Sequence, residues 1–155
     1  MDGKNKGFSL VELIVVVLIM AIIAVALAPQ ILKWVDNSRV SADIQTKDIL
    51  VDFMQLTVMT DEVVNELVRT DGAWLKATNS GVELKKGSDG SGANYGTADK
   101  LYEKFCQYAG TNNLNEFKTK KKNTEILITV DDVAATITSR YYDKNNSSVD
   151  LVVDD

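Results

Sequence analysis

The longest hydrophobic stretch of the chain lies near its N-terminus. From Phe8 to Leu32 the sequence contains a single charged residue, Glu12. The part from Phe8 to Ala28 would be about 32 Å long as a helix, enough to cross a bilayer core of roughly 30 Å. The segment is rich in Val and Ile, which favour strands in water. An unbroken apolar run of this length nevertheless predicts a membrane helix.

The helical period continues beyond Pro29 to about Met59, with apolar positions on two stripes. We expect one stripe to pack against the chain's own globular head and the other to be covered by neighbouring molecules. Burial of both stripes inside one domain is the alternative. The whole helix would be about 75–80 Å long at 1.5 Å per residue, too long for a head of about 95 residues to enclose. The broad stripe holds Ile31, Leu32, Val35, Ala42, Ile49, Leu50, Phe53 and Leu56, and the narrower one Val40, Ile44, Val51, Met54 and Val58.

Pro29 interrupts the backbone hydrogen bonds of this helix. It cannot donate to the carbonyl of Val25, and its ring crowds that turn. The sequence therefore predicts either a kink or a locally melted segment over residues 24–28.

Beyond residue 60 the pattern changes to short helices, a loop and strands. Thr60 or Asp61 could cap a short second helix, and "TADKLYEKFCQYAG" predicts another that ends at Gly110. "GVELKK" is a possible short strand, and the glycine-rich "KKGSDGSGANYG" is a loop. Three strands at 124–130, 134–142 and 148–153, with short links, predict an antiparallel meander. The expected fold is α+β, a long N-terminal α-helix with its hydrophobic half protruding, packed on a small C-terminal antiparallel β-sheet head.

Composition excludes several functions. The chain has 155 residues, no His, one Cys and a net charge of −5. It offers no cysteine–histidine zinc site, no nucleophile–base pair, no nucleotide loop and no overall basic footprint for nucleic acid. "SDGSG" lacks the spaced acids of a calcium loop. We therefore expect no enzyme activity, no cofactor and no metal, and a buried thiol at Cys106. The basic cluster "KTKKKN" is expected to be a solvated turn, or a patch for DNA or for an acidic neighbour.

Glu12 decides between readings of the N-terminal run. A cleaved secretory signal ending at "AVALA" has a basic start in its favour, but Glu12 interrupts the run and Pro29 follows the best cleavage position. A plain transmembrane anchor leaves Glu12 unexplained, because a carboxylate in a membrane helix costs about 2.5–3.5 kcal/mol and should have a partner.

A third reading accounts for more residues. Gly7, Phe8, Ser9, Leu10 and Glu12, with Val11 between the last two, resemble the leader junction of type IV prepilins, the class III signal. In that pattern a short basic leader ends in Gly, and Glu stands at the fifth position after the cut. The pattern also contains a proline at the 22nd position after the cut, and Pro29 occupies that position. Since the chain has one Cys, it lacks the disulfide of many such proteins, which suits pilins of Gram-positive bacteria.

The resemblance implies a two-step maturation and an ordered layout. A prepilin peptidase would cut between Gly7 and Phe8 and N-methylate the new amine of Phe8. Residues 1–7 would be the leader, 8–30 the membrane anchor and filament core, 31–59 the amphipathic half of the same helix, and 60–155 the head with its αβ-loop and three-stranded sheet. Removing Asp2, Lys4 and Lys6 from 17 basic and 22 acidic residues leaves 15 and 21, a side-chain charge of −6.

The resemblance also implies partners and a location. These are further copies of the chain in a homopolymer, the peptidase, an inner-membrane platform, an assembly ATPase, and membrane lipid before assembly. The precursor would be a single-pass protein of the cytoplasmic membrane, and the product a surface filament for adhesion or motility. A minor pilin or pseudopilin of type II secretion or DNA uptake is the runner-up. A membrane-tethered binding module that never polymerises is the third hypothesis.

The fifth-position acid then has a physical explanation. Cleavage after Gly7 creates an ammonium group on Phe8, at the edge of the apolar helix. Inside a bundle of such helices Glu12 would be buried and would need a counter-charge, which the Phe8 amine of the same or a neighbouring molecule can supply. A molecule added out of register would leave both charges unpaired, so the pair would fix register.

Overall fold

The computed structural model describes residues 7–96, 99–131 and 136–151. The chain divides into two compact units, one up to Asn37 and one from Ser38 onward. The helices are α1 (Leu10–Thr60), α2 (Glu62–Asp71) and α3 (Lys100–Ala109), with a 3₁₀ turn at Leu114–Phe117. The strands are β1 (Ala73–Thr78), β2 (Val82–Lys85), β3 (Thr124–Val130), β4 (Ile137–Asp143) and β5 (Asn146–Asp150).

The second unit contains one antiparallel sheet with the order β2-β1-β3-β4-β5. The α+β class and the antiparallel β3-β4-β5 meander are thereby confirmed. The sheet is larger than the three predicted strands, because β1 and β2 extend it beyond β3. "GVELKK" does form a strand, whereas β1 was not predicted at all. The predicted bounds of two strands were wrong: Thr136 precedes β4, and β5 begins at Asn146, inside the predicted turn, and ends before Leu151. Residues 134–135 and 152–153 of the two predictions lie outside the described residues.

One face of the sheet forms the core with the three helices. Alternate residues of β1 are fully buried, and the same alternation places Ile126 and Ile128 of β3 on the core side. The helices contribute Val40, Leu50, Met54, Val58, Val64, Val68, Leu101 and Phe105.

The second half of α1 follows the two-stripe prediction in part. The narrower stripe packs toward the core, with Val40, Met54 and Val58 buried. Leu50 and Phe53 of the broad stripe join it, whereas Ile49 and Leu56 remain 42% and 45% exposed. The helix therefore has one buried face and one free apolar face in the single chain.

Both predicted short helices are present; α3 begins at Lys100, inside the stretch predicted as helix, and ends before Gly110 as predicted. The Asp61 carboxylate accepts hydrogen bonds from the N–H groups of Val63 and Val64, at 3.0 and 3.2 Å, and caps α2. These bonds, opposed by partial desolvation, lower the pKa of Asp61. Gly110 ends α3 in the left-handed conformation. Cys106 on α3 is buried, as expected, and its burial raises the pKa of its thiol.

A buried carboxylate connects α1 to the rest of this unit. Asp43 is fully buried and accepts hydrogen bonds from the backbone N–H groups of Lys120 and Lys121, at 2.6 and 3.0 Å. It also accepts one from the hydroxyl of Tyr141 at 3.0 Å. The basic cluster is therefore a turn whose backbone is fixed to α1.

The glycine-rich loop lies over the outer face of the sheet. A Cβ at Gly90 would come within 2.6 Å of the Trp74 ring, and its φ of +73° also requires glycine. The loop prediction is confirmed from Lys86 to Gly96, which lie outside helices and strands, whereas the first residue of the predicted loop, Lys85, ends β2.

Candidate functional site

The residues singled out near the N-terminus lie at the start of α1. Gly7, Phe8 and Ser9 precede the first helical residue, Leu10. Glu12 Oε2 accepts a hydrogen bond from the Ser9 N–H at 2.9 Å. Ser9 Oγ accepts one from the N–H of Val11 at 3.3 Å. The two side chains thus satisfy two of the backbone donors that a helix start leaves free, an arrangement close to a capping box.

Ser9 was considered in the sequence only as part of the motif, and its role as a helix cap was not predicted. The signal for its capping role was available, because Ser and Glu three positions apart before an apolar run are typical of a capped helix start. A carboxylate in the first turn also interacts favourably with the helix dipole. Glu12 therefore has a local role in the single chain, and its contact places it against the backbone of the residue next to Phe8.

Gly7 is not required by the contacts of its own chain. No described atom lies within 4 Å of a Cβ built at this position, and its φ is outside the left-handed region. Phe8 is 90% exposed. The Gly7–Phe8 bond is consequently accessible in the described structure, and any need for glycine there must come from another molecule.

The apolar run presents its side chains outward on every side. All large apolar residues from Leu10 to Val35 are exposed. Within the described residues, one helix is long and apolar enough to cross a membrane, by length and composition. Exposure of so continuous an apolar surface indicates a lipid or protein partner rather than water.

Pro29 lies within α1, and the helix continues through it. It is 17 residues beyond Glu12, about 25 Å along the axis, so the two do not share a site. Local unwinding of the helix around Pro29 in an assembled filament stays a prediction.

Comparison with known families adds an independent finding for this segment. The family model described as the prokaryotic N-terminal methylation motif matches residues 2–28. The N-terminal segment is that of a type IV pilin-like prepilin. No match was found among curated proteins or among solved structures.

The prepilin motif has consequences at a coarse level. Its family is structural rather than catalytic. The motif implies processing by a prepilin peptidase and assembly machinery in general, and together with the apolar helix it fits a membrane-anchored precursor. The match therefore supports a pilin-like or pseudopilin-like protein.

The head offers no obvious chemistry among the residues that the structure describes. No group of three or more potential metal ligands is found in that part of the chain. A second buried carboxylate, Glu125, lies 3.0 Å from Lys76 Nζ and 3.2 Å from Lys144 Nζ. Tyr142 donates a hydrogen bond to it at 3.0 Å. These contacts join three strands on the outer face of the sheet, so their role is structural.

Proposed function

We propose that this protein is the major pilin of a type IV pilus. The precursor, with leader 1–7, is inserted in the cytoplasmic membrane through residues 8–30 and cut between Gly7 and Phe8. Phe8 is N-methylated, and the mature chain assembles through its N-terminal helix into a surface filament for adhesion or motility. The match of residues 2–28 to the methylation motif carries the proposal.

The geometry at the start of α1 supports the cleavage step. The peptide bond between Gly7 and Phe8 is exposed. No contact within the chain requires glycine at position 7, and the absence of a side chain there suits close approach of a peptidase to the backbone. Intact mass spectrometry of the exported protein tests the step. We expect loss of seven residues and a gain of about 14 Da, the mass of one methyl group replacing a hydrogen. An uncut N-terminus would favour the tethered module.

The position of Glu12 supports the assembly step. Its carboxylate is held 2.9 Å from the Ser9 N–H, one residue from the amine that cleavage would liberate. The Phe8 ammonium would then neutralise Glu12 where the apolar helices pack together. An unpaired carboxylate in that environment costs several kcal/mol.

Two substitutions separate the charge of Glu12 from its capping bond. Glu12→Gln keeps an oxygen that can accept from the Ser9 N–H but removes the charge, whereas Glu12→Ala removes both. If pairing with the amine drives assembly, both variants are inserted and cleaved normally but give few filaments in sheared surface material. Filament formation by Glu12→Gln at the wild-type level would show that only the cap matters. Ser9→Ala, which keeps Glu12, is the matched control and should assemble.

Microscopy of the same sheared material distinguishes the major pilin from its alternatives. Long filaments made mainly of this chain support the major pilin. Their absence, with cleavage and methylation intact, would instead indicate a minor pilin or a pseudopilin of type II secretion or DNA uptake.

A further inference from the structure

An apolar groove runs along the outer side of α2. The helix buries Val64 and Val68 in the core but leaves Val63 58% exposed. Val63 and the partly buried Leu67 form the apolar part of an open groove of about 830 Å³. It is lined by Glu62, Val63, Glu66, Leu67, Thr70, Asp71, Asp99 and Lys100.

Acidic side chains outnumber the one lysine, Lys100, along this groove, and two of the carboxylates form no ion pair among the described residues. Glu62 and Glu66 are exposed, and neither forms an ion pair with any residue that the structure describes. Asp71, by contrast, is paired with Lys86 at 3.1 Å. A partner for the groove should therefore carry positive charge on long side chains, which could cover Val63 and Leu67 with their methylene groups.

The chain itself carries such a surface in the turn before β3. Lys118, Lys120 and Lys122 have no ion-pair partner among the described residues, and Lys120 and Lys122 are exposed. The backbone of this turn is fixed by Asp43, which accepts from the N–H groups of Lys120 and Lys121. The three lysines are thus presented from a rigid turn, which lowers the entropy lost on binding.

The two surfaces lie far apart along α1. The basic turn is attached at Asp43, whereas α2 begins directly after Thr60, 17 residues later and about 25 Å along the helix axis. The groove therefore cannot be filled by the basic turn of its own chain. Two different surfaces that complement each other on identical molecules form head-to-tail contacts, and these build open helical polymers when the rotation does not close.

We propose that the α2 groove of one molecule binds the Lys118–Lys122 turn of the next molecule in the filament. The ammonium groups pair with Glu62 and Glu66, and the lysine stems cover Val63 and Leu67. The inference rests on the proposed filament function and specifies which head surfaces meet in it. A single exposed ion pair contributes about 0–1 kcal/mol, so the contact acts through its repetition along the polymer.

Charge reversal in the full-length protein, expressed with its own assembly machinery, tests the contact. Glu62→Lys with Glu66→Lys should reduce the filament yield several-fold, as should Lys120→Glu with Lys122→Glu. All four substitutions together restore opposite charges and should bring the yield back toward wild type. Glu103→Lys, an exposed acid on α3 outside the groove, is the matched control and should not reduce it.

Cross-linking supplies a readout that does not depend on yield. Glu66→Cys combined with Lys120→Cys, treated with a short bis-maleimide in intact cells, should give a ladder of multimers. Each single variant should give dimers at most, and the wild type, whose Cys106 is buried, should give neither.

The outcomes distinguish the two proposals. Wild-type cells without filaments refute the proposed function and this contact with it. If filaments form at the wild-type level with either charge reversal, the contact is wrong while the proposed function stands. The same holds if the fourfold variant fails to restore the yield and the cysteine pair fails to cross-link. Loss of yield only with the α2 reversal would assign the groove to a different basic partner.

Discussion

At the scale of single residues, Asp43 is a buried carboxylate of the head whose hydrogen bonds reach distant parts of the chain. Its carboxylate is fully buried and accepts three hydrogen bonds, two from the backbone of the basic turn and one from Tyr141. Removing a buried acceptor leaves its donors without partners, at about 1–3 kcal/mol each.

We therefore expect Asp43→Ala to reduce the free energy of unfolding of the head by about 3 kcal/mol or more. Tyr141→Phe removes only one of the bonds and should cost about 1 kcal/mol. Urea unfolding of the full chain in detergent, in a Trp34→Phe background so that Trp74 is the one fluorescent tryptophan, measures both. The exposed Asp52→Asn on the same helix is the control and should stay within about 0.5 kcal/mol of wild type. A similar value for Asp43→Ala would contradict the role given to this carboxylate.

Glu12 shows what residue-level reasoning could and could not reach. Its exceptional place in an apolar run was visible in the sequence and led directly to the processing hypothesis. Its bond to the Ser9 N–H was not anticipated, although the Ser-x-x-Glu spacing indicates a cap. The Glu12 side chain can therefore be explained by helix capping or by charge pairing. Variants that remove its charge but keep its hydrogen bond distinguish the two roles.

At the scale of secondary-structure elements, Glu125 ties β3 to its neighbours. The side chain is 8% exposed and lies beside Lys76 of β1 and Lys144 after β4, while Tyr142 of β4 donates to it. Burial alone would raise the pKa of Glu125, but the hydrogen bonds from the two lysines and Tyr142 outweigh it and lower the pKa.

This lowered pKa gives the head a defined response to acid. A carboxyl whose pKa is lower in the folded state stabilises the fold above its unfolded pKa, about 4.3 for Glu, and loses that contribution as the pH falls through the folded pKa. We expect the difference in unfolding free energy between wild type and Glu125→Gln to shrink as the pH is lowered from about 6 to below 4. Urea unfolding at a series of pH values measures this difference, with Glu103→Gln as the exposed control. A difference that does not change with pH would contradict the assignment.

The strands also show where pattern reading fails. β3, β4 and β5 were predicted because their apolar residues alternate and turn residues separate them. β1 was missed because two of its buried positions, 73 and 77, are occupied by alanine, a residue type that is depleted in strands. β1 pairs with β2, which follows it closely, and also with β3, which is distant in sequence, so part of what fixes its conformation is invisible to a local pattern.

At the scale of the whole molecule, the apolar run determines where the precursor resides. Leu18 lies near the middle of residues 8–28, and a lysine there costs about 2.5–3.5 kcal/mol on insertion scales. We expect Leu18→Lys to lower the fraction of full-length protein that remains with membranes after an alkaline carbonate wash. Gln30→Lys, at the last residue of the anchor, adds the same charge where a lysine side chain can reach the interface, and it should leave that fraction unchanged. Equal fractions for the two variants would show that this run is not the anchor.

Features that depend on residues close together in the chain could be predicted from the sequence. These are the apolar helix, the positions of Glu12 and Pro29, the caps of the short helices and the alternating strands. Three other features became visible only in the folded chain: which stripe of α1 is buried, where β1 enters the sheet, and that Asp43 holds the basic turn. Those outcomes depend on contacts between distant residues: Asp43 meets Lys120 and Tyr141 across 77 and 98 positions, and no periodicity encodes such a pairing.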